Sequence, residues 1–172
     1  MNGFELQTII LVVFYALPMY FANATPIVLH GKTPVDFGKT LCGKRIFGKG
    51  KTWIGLVCGI LGGILAGSII AALFPEILVI IPGYLEIVVL LSIGALFGDL
   101  VESFFKRRIG FESGEMWLLA DQLDFVIGGF LLSLILRVPE FEVVAIILVI
   151  TVFAHITTNF AAYKMKLKKV PW

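Results

Sequence analysis

The stretch Trp53–Phe74, WIGLVCGILGGILAGSIIAALF, runs for 22 residues without one charged side chain. A helix that crosses the hydrocarbon core of a bilayer needs about 20 such residues. Four more apolar runs lie outward from it: Phe4–Ala22, Ile77–Gly98, Leu123–Val138 and Phe141–Tyr163. They are continuous rather than alternating, which points to helices and excludes an outer-membrane barrel. Over its 172 residues the chain is 59% hydrophobic and 15% charged, and its mean hydropathy is +0.99. Folding a soluble domain of this size buries only about 70% of the surface of the unfolded chain, too little to hide so much apolar area. A soluble globular enzyme and a disordered scaffold are therefore excluded. With Cys42 and Cys58 its only cysteines, a disulfide-stapled module is excluded as well. The expected fold is all-α: a polytopic bundle of about five transmembrane helices in one domain spanning residues 1–172. The start of the chain lacks a basic segment, so the first run is expected to remain as a span rather than be cleaved as a signal.

The basic residues orient the bundle. Thirteen of the fourteen Lys and Arg fall in three places: between the first and second runs, between the third and fourth, and after the fifth. The opposite side keeps only Arg137, beside Glu5, Glu76, Glu140 and Glu142. The excess of Lys and Arg marks the cytoplasmic side, which puts the N-terminus outside and the C-terminus in the cytoplasm. The long connections, at about 24–52 and 99–122, then face the cytoplasm, the side where function is expected. A net charge of +2 gives no footprint for nucleic acid.

Two acid pairs carry the chemistry. Asp99 with Glu102 and Asp121 with Asp124 each stand at i,i+3, which on a helix sets both carboxylates on one face. The pairs occupy the cytoplasmic ends of adjacent spans, and acids at membrane depth are costly without a partner. Four such hard oxygen ligands suit Mg²⁺ better than zinc. Helix capping is the other reading of Asp121 and Asp124.

The first long loop is rich in glycine and cations, from His30-Gly31-Lys32 through Lys44, Arg45 and Gly48 to Gly50-Lys51-Thr52. Such a loop suits a polyphosphate, or else an anionic lipid surface. It is not a Walker loop, because Arg45 stands where that motif needs the glycine preceding Gly50-Lys51-Thr52. In the last run His155 and Asn159 share a face at i,i+4. They are read either as part of the nucleotide site or as interhelical hydrogen-bonding residues. The glycines Gly59, Gly62, Gly63, Gly67, Gly128 and Gly129 are read as close helix contacts. Together the acidic and basic clusters suit phosphoryl or nucleotidyl transfer between a soluble nucleotide and a lipid headgroup.

Several motifs carry a family resemblance: Lys51-Thr52-Trp53-x-Gly55, Gly98-Asp99-Leu100 with Glu102-Ser103, Lys106-Arg107, Gly110, Ser113-Gly114 and Asp121-x-x-Asp124. This set resembles the CDP-diacylglycerol synthetase superfamily. Pro34-Val35-Asp36-Phe37-Gly38, Gly43-Lys44-Arg45-Ile46-Phe47-Gly48, the His155–Asn159 segment and Pro171-Trp172 are similar to its short archaeal branch, the CDP-archaeol synthases. The resemblance implies Mg²⁺-dependent transfer of a cytidylyl group from CTP to 2,3-di-O-geranylgeranylglyceryl phosphate, an ether-lipid phosphate, with release of pyrophosphate at the cytoplasmic face of the cell membrane. It implies metal-binding and catalytic roles for Asp99, Glu102, Asp121 and Asp124, with Lys106, Lys51 and Arg107 at phosphates. Lys44, Arg45, Thr52, His155 and Asn159 complete the expected nucleotide site. The rival readings are a CDP-alcohol phosphotransferase, whose Asp-Gly-x-x-Ala-Arg pattern is missing after Asp124, a lipid kinase, and a small ion transporter with acids spread through the bilayer.

Overall fold

The computed structural model describes residues 3–112 and 115–164. Ser113, Gly114, residues 165–172 with Pro171 and Trp172, and the side chains of Glu5 and Asn159 lie outside the described residues. The chain forms helix α1 (Gly3–Val28), a hairpin of β1 (Thr40–Leu41) and β2 (Lys44–Arg45), then α2 (Trp53–Leu73), α3 (Ile77–Ile80), α4 (Tyr84–Ile109), α5 (Ala120–Ser133) and α6 (Phe141–Lys164). Among the described residues four helices are long and apolar enough to cross a membrane, over Gln7–Val28, Trp53–Leu73, Tyr84–Ile109 and Phe141–Thr158.

Three boundaries differ from those read in the sequence. The run Ile77–Gly98 is two helices, because Pro82 disfavours helical geometry at Ile81 and Gly83 turns left-handed, with φ 75°. Helix α4 then continues through the charged stretch to Ile109, where Gly110 (φ 105°) ends it by donating to the Lys106 carbonyl. The run Leu123–Val138 is helical only within the 14 residues of α5, about 21 Å of rise at 1.5 Å per residue. Helix α1 carries on past Ala22 to Val28. The two long connections are accordingly 29–52 and 110–119 rather than 24–52 and 99–122, and Asp99 and Glu102 stand on a helix, as their i,i+3 reading expected, with Lys106 one turn further along it.

Pro18 lies inside α1 and removes the N–H that would bond the Phe14 carbonyl. The buried Tyr84 hydroxyl at the start of α4 donates to that carbonyl instead, at 3.0 Å. Helix α2 turns Gly55, Gly59, Gly63 and Gly67 inward, a small-residue stripe that admits close helix approach. A Cβ on Gly59 would press on the Ala22 carbonyl of α1, and one on Gly67 would overlap Val88 of α4. The tightest crossing joins α4 to α5. There Gly94, Gly98 and Gly128 bring backbone onto backbone, and a Cβ on Gly98 would overlap the Asp124 carbonyl oxygen. The glycines expected to serve helix packing do so. Between the helices the core holds Met19, Val88, Leu91, Phe125, Val126 and Ile147, all essentially inaccessible. Helix α6 closes the bundle through the Tyr20 hydroxyl bonded to Thr151 Oγ1 at 2.7 Å.

The first loop is ordered around one buried carboxylate. Asp36 accepts hydrogen bonds from Arg45 Nη2 and Nε and from the backbone N–H groups of Gly38, Phe47 and Gly48. Cys42 (φ 51°) and Gly43 (φ 75°) make the two-residue hairpin turn, whose left-handed pair of residues matches the twist of the strands. Arg108 at the end of α4 donates to the carbonyls of Leu41, Lys44 and Arg45. The hairpin is thereby clamped over the charged end of α4.

Candidate functional site

Helix α4 sets Asp99, Glu102 and Lys106 on one face, α5 supplies Asp121 and Asp124, and the clamped loop lays Gly48, Gly50 and Lys51 above them. These residues, with Phe47, Ser103 and Arg107, line a polar cavity of about 300 Å³. Both acid pairs expected from the i,i+3 spacing thus reach one site. The carboxylates are held by lysines. Lys51 Nζ stands 2.5 Å from Asp99 Oδ1. The buried Lys106 ammonium donates to both Asp121 oxygens at 2.7 and 2.8 Å and lies 3.6 Å from Glu102 Oε1. The Trp117 N–H fixes Asp121 further, at 3.0 Å from Oδ2. Asp124 Oδ1 accepts from the Phe125 N–H at 2.6 Å, and neither acid of the second pair caps α5, whose N-cap is Leu119 with no side-chain cap bond.

Among the described residues no group of three or more His, Cys, Asp or Glu side chains is arranged to hold a metal ion. Between the four carboxylates the positive charge comes from Lys51 and Lys106, drawn in from the loop and from α4. One acceptor is left over. Glu102 Oε1 is buried and has no hydrogen-bond partner, an expensive state for a carboxylate oxygen. An all-oxygen set with an unmatched buried acceptor fits a hard divalent cation.

The remaining expected site residues divide. Arg107 lines the cavity, with Nη1 tied to the Phe111 carbonyl at 2.5 Å. Arg45 is engaged by Asp36 at 2.5 Å. Burial alone would raise the Asp36 carboxyl, but Arg45 and the three N–H donors hold it well below the usual carboxylate range. Arg45 therefore builds the loop rather than facing the cavity. Thr52 caps α2 by accepting from the Gly55 N–H and also accepts from the Gly31 N–H, each at 3.2 Å. Lys44 stays on the exposed hairpin. His155 packs against the Phe125 ring at 6.0 Å between centroids and is not among the residues lining the polar cavity.

A second opening was not anticipated. Along the α4–α5 crossing runs an apolar groove of about 820 Å³, walled by Ile93, Phe97, Val101, Ile127 and Leu131 and reaching Glu102 and Asp124 at its polar end. These two acids line both the groove and the polar cavity. The signal was present in the sequence as large apolar residues four apart on α4, yet it reads the same as any lipid-facing helix side.

Residues 5–172 match the family model described as CarS-like, CDP-archaeol synthase. A CDP-archaeol synthase of Methanospirillum hungatei is 42% identical over 167 residues, covering 91% of this chain and 99% of the relative. One of Thermococcus onnurineus is 40% identical, covering 98% of this chain and 99% of the relative. A solved structure of an intramembrane enzyme for archaeal membrane lipid biosynthesis superposes with a TM-score of 0.78 at 36% identity, covering 86% of this chain and 91% of that one.

Proposed function

The chain belongs to the CDP-archaeol synthase family, and from that premise we propose that it forms CDP-archaeol where the polar cavity and the apolar groove meet. It is a membrane enzyme whose substrates are CTP and a lipid phosphate. In the finer reading the lipid is 2,3-di-O-geranylgeranylglyceryl phosphate, with its chains along the groove between α4 and α5. The triphosphate of CTP lies in the polar cavity under Gly48, Gly50 and Lys51. The observation that carries this reading is that Glu102 and Asp124 line both openings, so a lipid phosphate at the head of the groove reaches a nucleotide phosphate directly.

An oxygen of the lipid phosphate attacks the α-phosphorus of CTP; the bond from that phosphorus to the bridging oxygen breaks, and pyrophosphate departs with the electron pair. The attacking oxygen is already ionised at neutral pH, so no general base is required and rate comes from alignment. Lys51, Lys106 and Arg107 counter the charge that grows on the leaving pyrophosphate. Asp99, Glu102, Asp121 and Asp124 would hold Mg²⁺, which when bound neutralises phosphate oxygens. The Trp117 N–H keeps Asp121 oriented in the polar cavity. Helix α5 with the turn after it makes a fifth, shortened crossing. The Lys and Arg asymmetry supports a reading with the N-terminus outside and the site at the cytoplasmic face of the cell membrane.

The test is pyrophosphate release by purified protein given CTP, Mg²⁺ and the lipid phosphate. Asp124→Asn should abolish at least nine-tenths of it. Ile127→Trp, which fills the groove, should raise the KM for lipid and leave that for CTP unchanged. Release that continued undiminished with all divalent ions chelated would overturn the mechanism.

A further inference from the structure

Helix α2 has two opposite faces. Gly55, Gly59, Gly63 and Gly67 turn inward, while Trp53, Val57, Leu61, Leu65, Ile69 and Leu73, each four residues from the last, are exposed. On a span this apolar the exposed row is the side that meets lipid chains. It begins at Trp53, at the end of the helix, the level where Trp is enriched at a membrane–water interface. The first loop carries the row one ring further. Phe37 packs on Trp53 with 6.0 Å between ring centroids. The loop is fastened there because the Trp53 N–H donates to the Thr33 carbonyl at 3.1 Å and the Val35 N–H to the Lys51 carbonyl at 2.8 Å.

Phe37 gains little from the protein for the conformation it holds. Its φ is 49°, a left-handed geometry that is unfavourable for a bulky side chain and that Asn or Gly adopts more easily. Yet the side chain is 63% exposed, beside Trp53 at 42%. The Asp36 bonds that shape this turn use backbone N–H groups and Arg45, so they would form with any residue at position 37. What the ring itself contributes therefore lies outside the chain. The charge around it is of one sign. Lys32 and Lys39 are exposed on either side of Phe37 in the loop, whose one acid, Asp36, is buried against Arg45. An aromatic pair level with a helix end and flanked by lysines matches a bilayer surface bearing anionic headgroups. A second copy of the chain meeting this face about a two-fold axis would set the same lysines against themselves. We propose that the turn at Phe37 docks on the bilayer that holds the protein, with the Phe37 and Trp53 rings at the boundary of headgroups and chains and Lys32 and Lys39 on anionic headgroups. Because Asp36 precedes Phe37, the membrane braces from outside the loop that Asp36 orders from within.

A photoreactive benzophenone analogue of phenylalanine at position 37 of the full chain keeps a ring there and reports what it touches. In nanodiscs containing anionic lipid, illumination should join it to lipid, seen by mass spectrometry as a lipid adduct. The yield should fall severalfold in nanodiscs of zwitterionic lipid alone, and likewise in anionic ones once Lys32→Gln and Lys39→Gln remove the cations. Equal yield in both lipids would overturn the role of the lysines. A crosslinked dimer would assign the face to a second copy, and a ring that reacts with neither would leave the turn in water; either result overturns the docking. Stability gives a second measurement. Phe37→Asn suits the left-handed backbone, so in detergent its Tm should match or exceed that of the parent. In anionic nanodiscs it should unfold at a lower temperature than the parent does. A drop of the same size in both surroundings, or none in either, would overturn the docking. None of these readouts depends on turnover, so their failure would leave the proposed reaction untouched.

Discussion

Asp36 does more for the site than its distance from the chemistry suggests. Five hydrogen bonds converge on this carboxylate, and they hold the loop that carries Gly48, Gly50 and Lys51 over the acids. Asp36→Asn removes the charge opposite Arg45 and puts N–H where an acceptor is needed. It should cut activity at least tenfold and open the loop to trypsin at Lys44 and Arg45, read by the rate of proteolysis in detergent. The carboxyl is held below its ordinary range, so its pKa is lower folded than unfolded and ionisation stabilises the loop. That contribution is complete at neutral pH and fades only as pH falls below about 4, the value for an unperturbed aspartate. Nothing local in the sequence announced this role. The partner arginine lies nine residues on in irregular backbone, without the periodicity that made Asp99–Glu102 and Asp121–Asp124 legible, and Arg45 looked like one more cation in a basic loop. Lys106 shows the same limit: its spacing from Glu102 was readable, but its bond to Asp121 depends on how two helices cross.

At the level of elements the crossing of α4 and α5 decides everything at the site, since it sets both the acid-lined cavity and the lipid groove. Glycine makes it possible. A Cβ at Gly98 would meet the carbonyl oxygen of Asp124, a backbone atom that cannot rotate away. Gly98→Ala should therefore force the helices apart, costing about 1–3 kcal/mol and most of the activity. Gly50→Ala, at a position with no atom within 4 Å of the added methyl, should leave stability unchanged. Thermal unfolding followed in detergent separates the two. The apolar runs revealed the long helices because a bilayer demands length and hydropathy together. Their ends were less legible. The stretch Asp99–Arg108 resembled a solvated loop by composition, but its charges compensate one another across α4, α5 and the first loop, so the helix can continue. The break at Pro82-Gly83 was visible in the residue types and hidden by the apolar residues on either side of it.

For the whole molecule, the one-sided basic residues and the cluster of acids at one end of the bundle agree. The working end and the Lys- and Arg-rich side are the same side. A transporter would need polar groups distributed along a path, whereas the carboxylates of the site all gather under the first loop. Cys42 tests the orientation without any mutation, since it is exposed at the tip of the hairpin. A membrane-impermeant maleimide should label it in inverted vesicles and leave it unlabelled in sealed right-side-out ones. Labelling from the outer side alone would reverse the topology.

The lysines between the carboxylates bear on what keeps this end of the bundle together. Three cations already face four anions in the cavity, so the like charges gathered there are largely balanced by side chains of the same chain. Balance of that kind would let the ends of α4 and α5 and the first loop stay docked between turnovers, when no substrate lies among them.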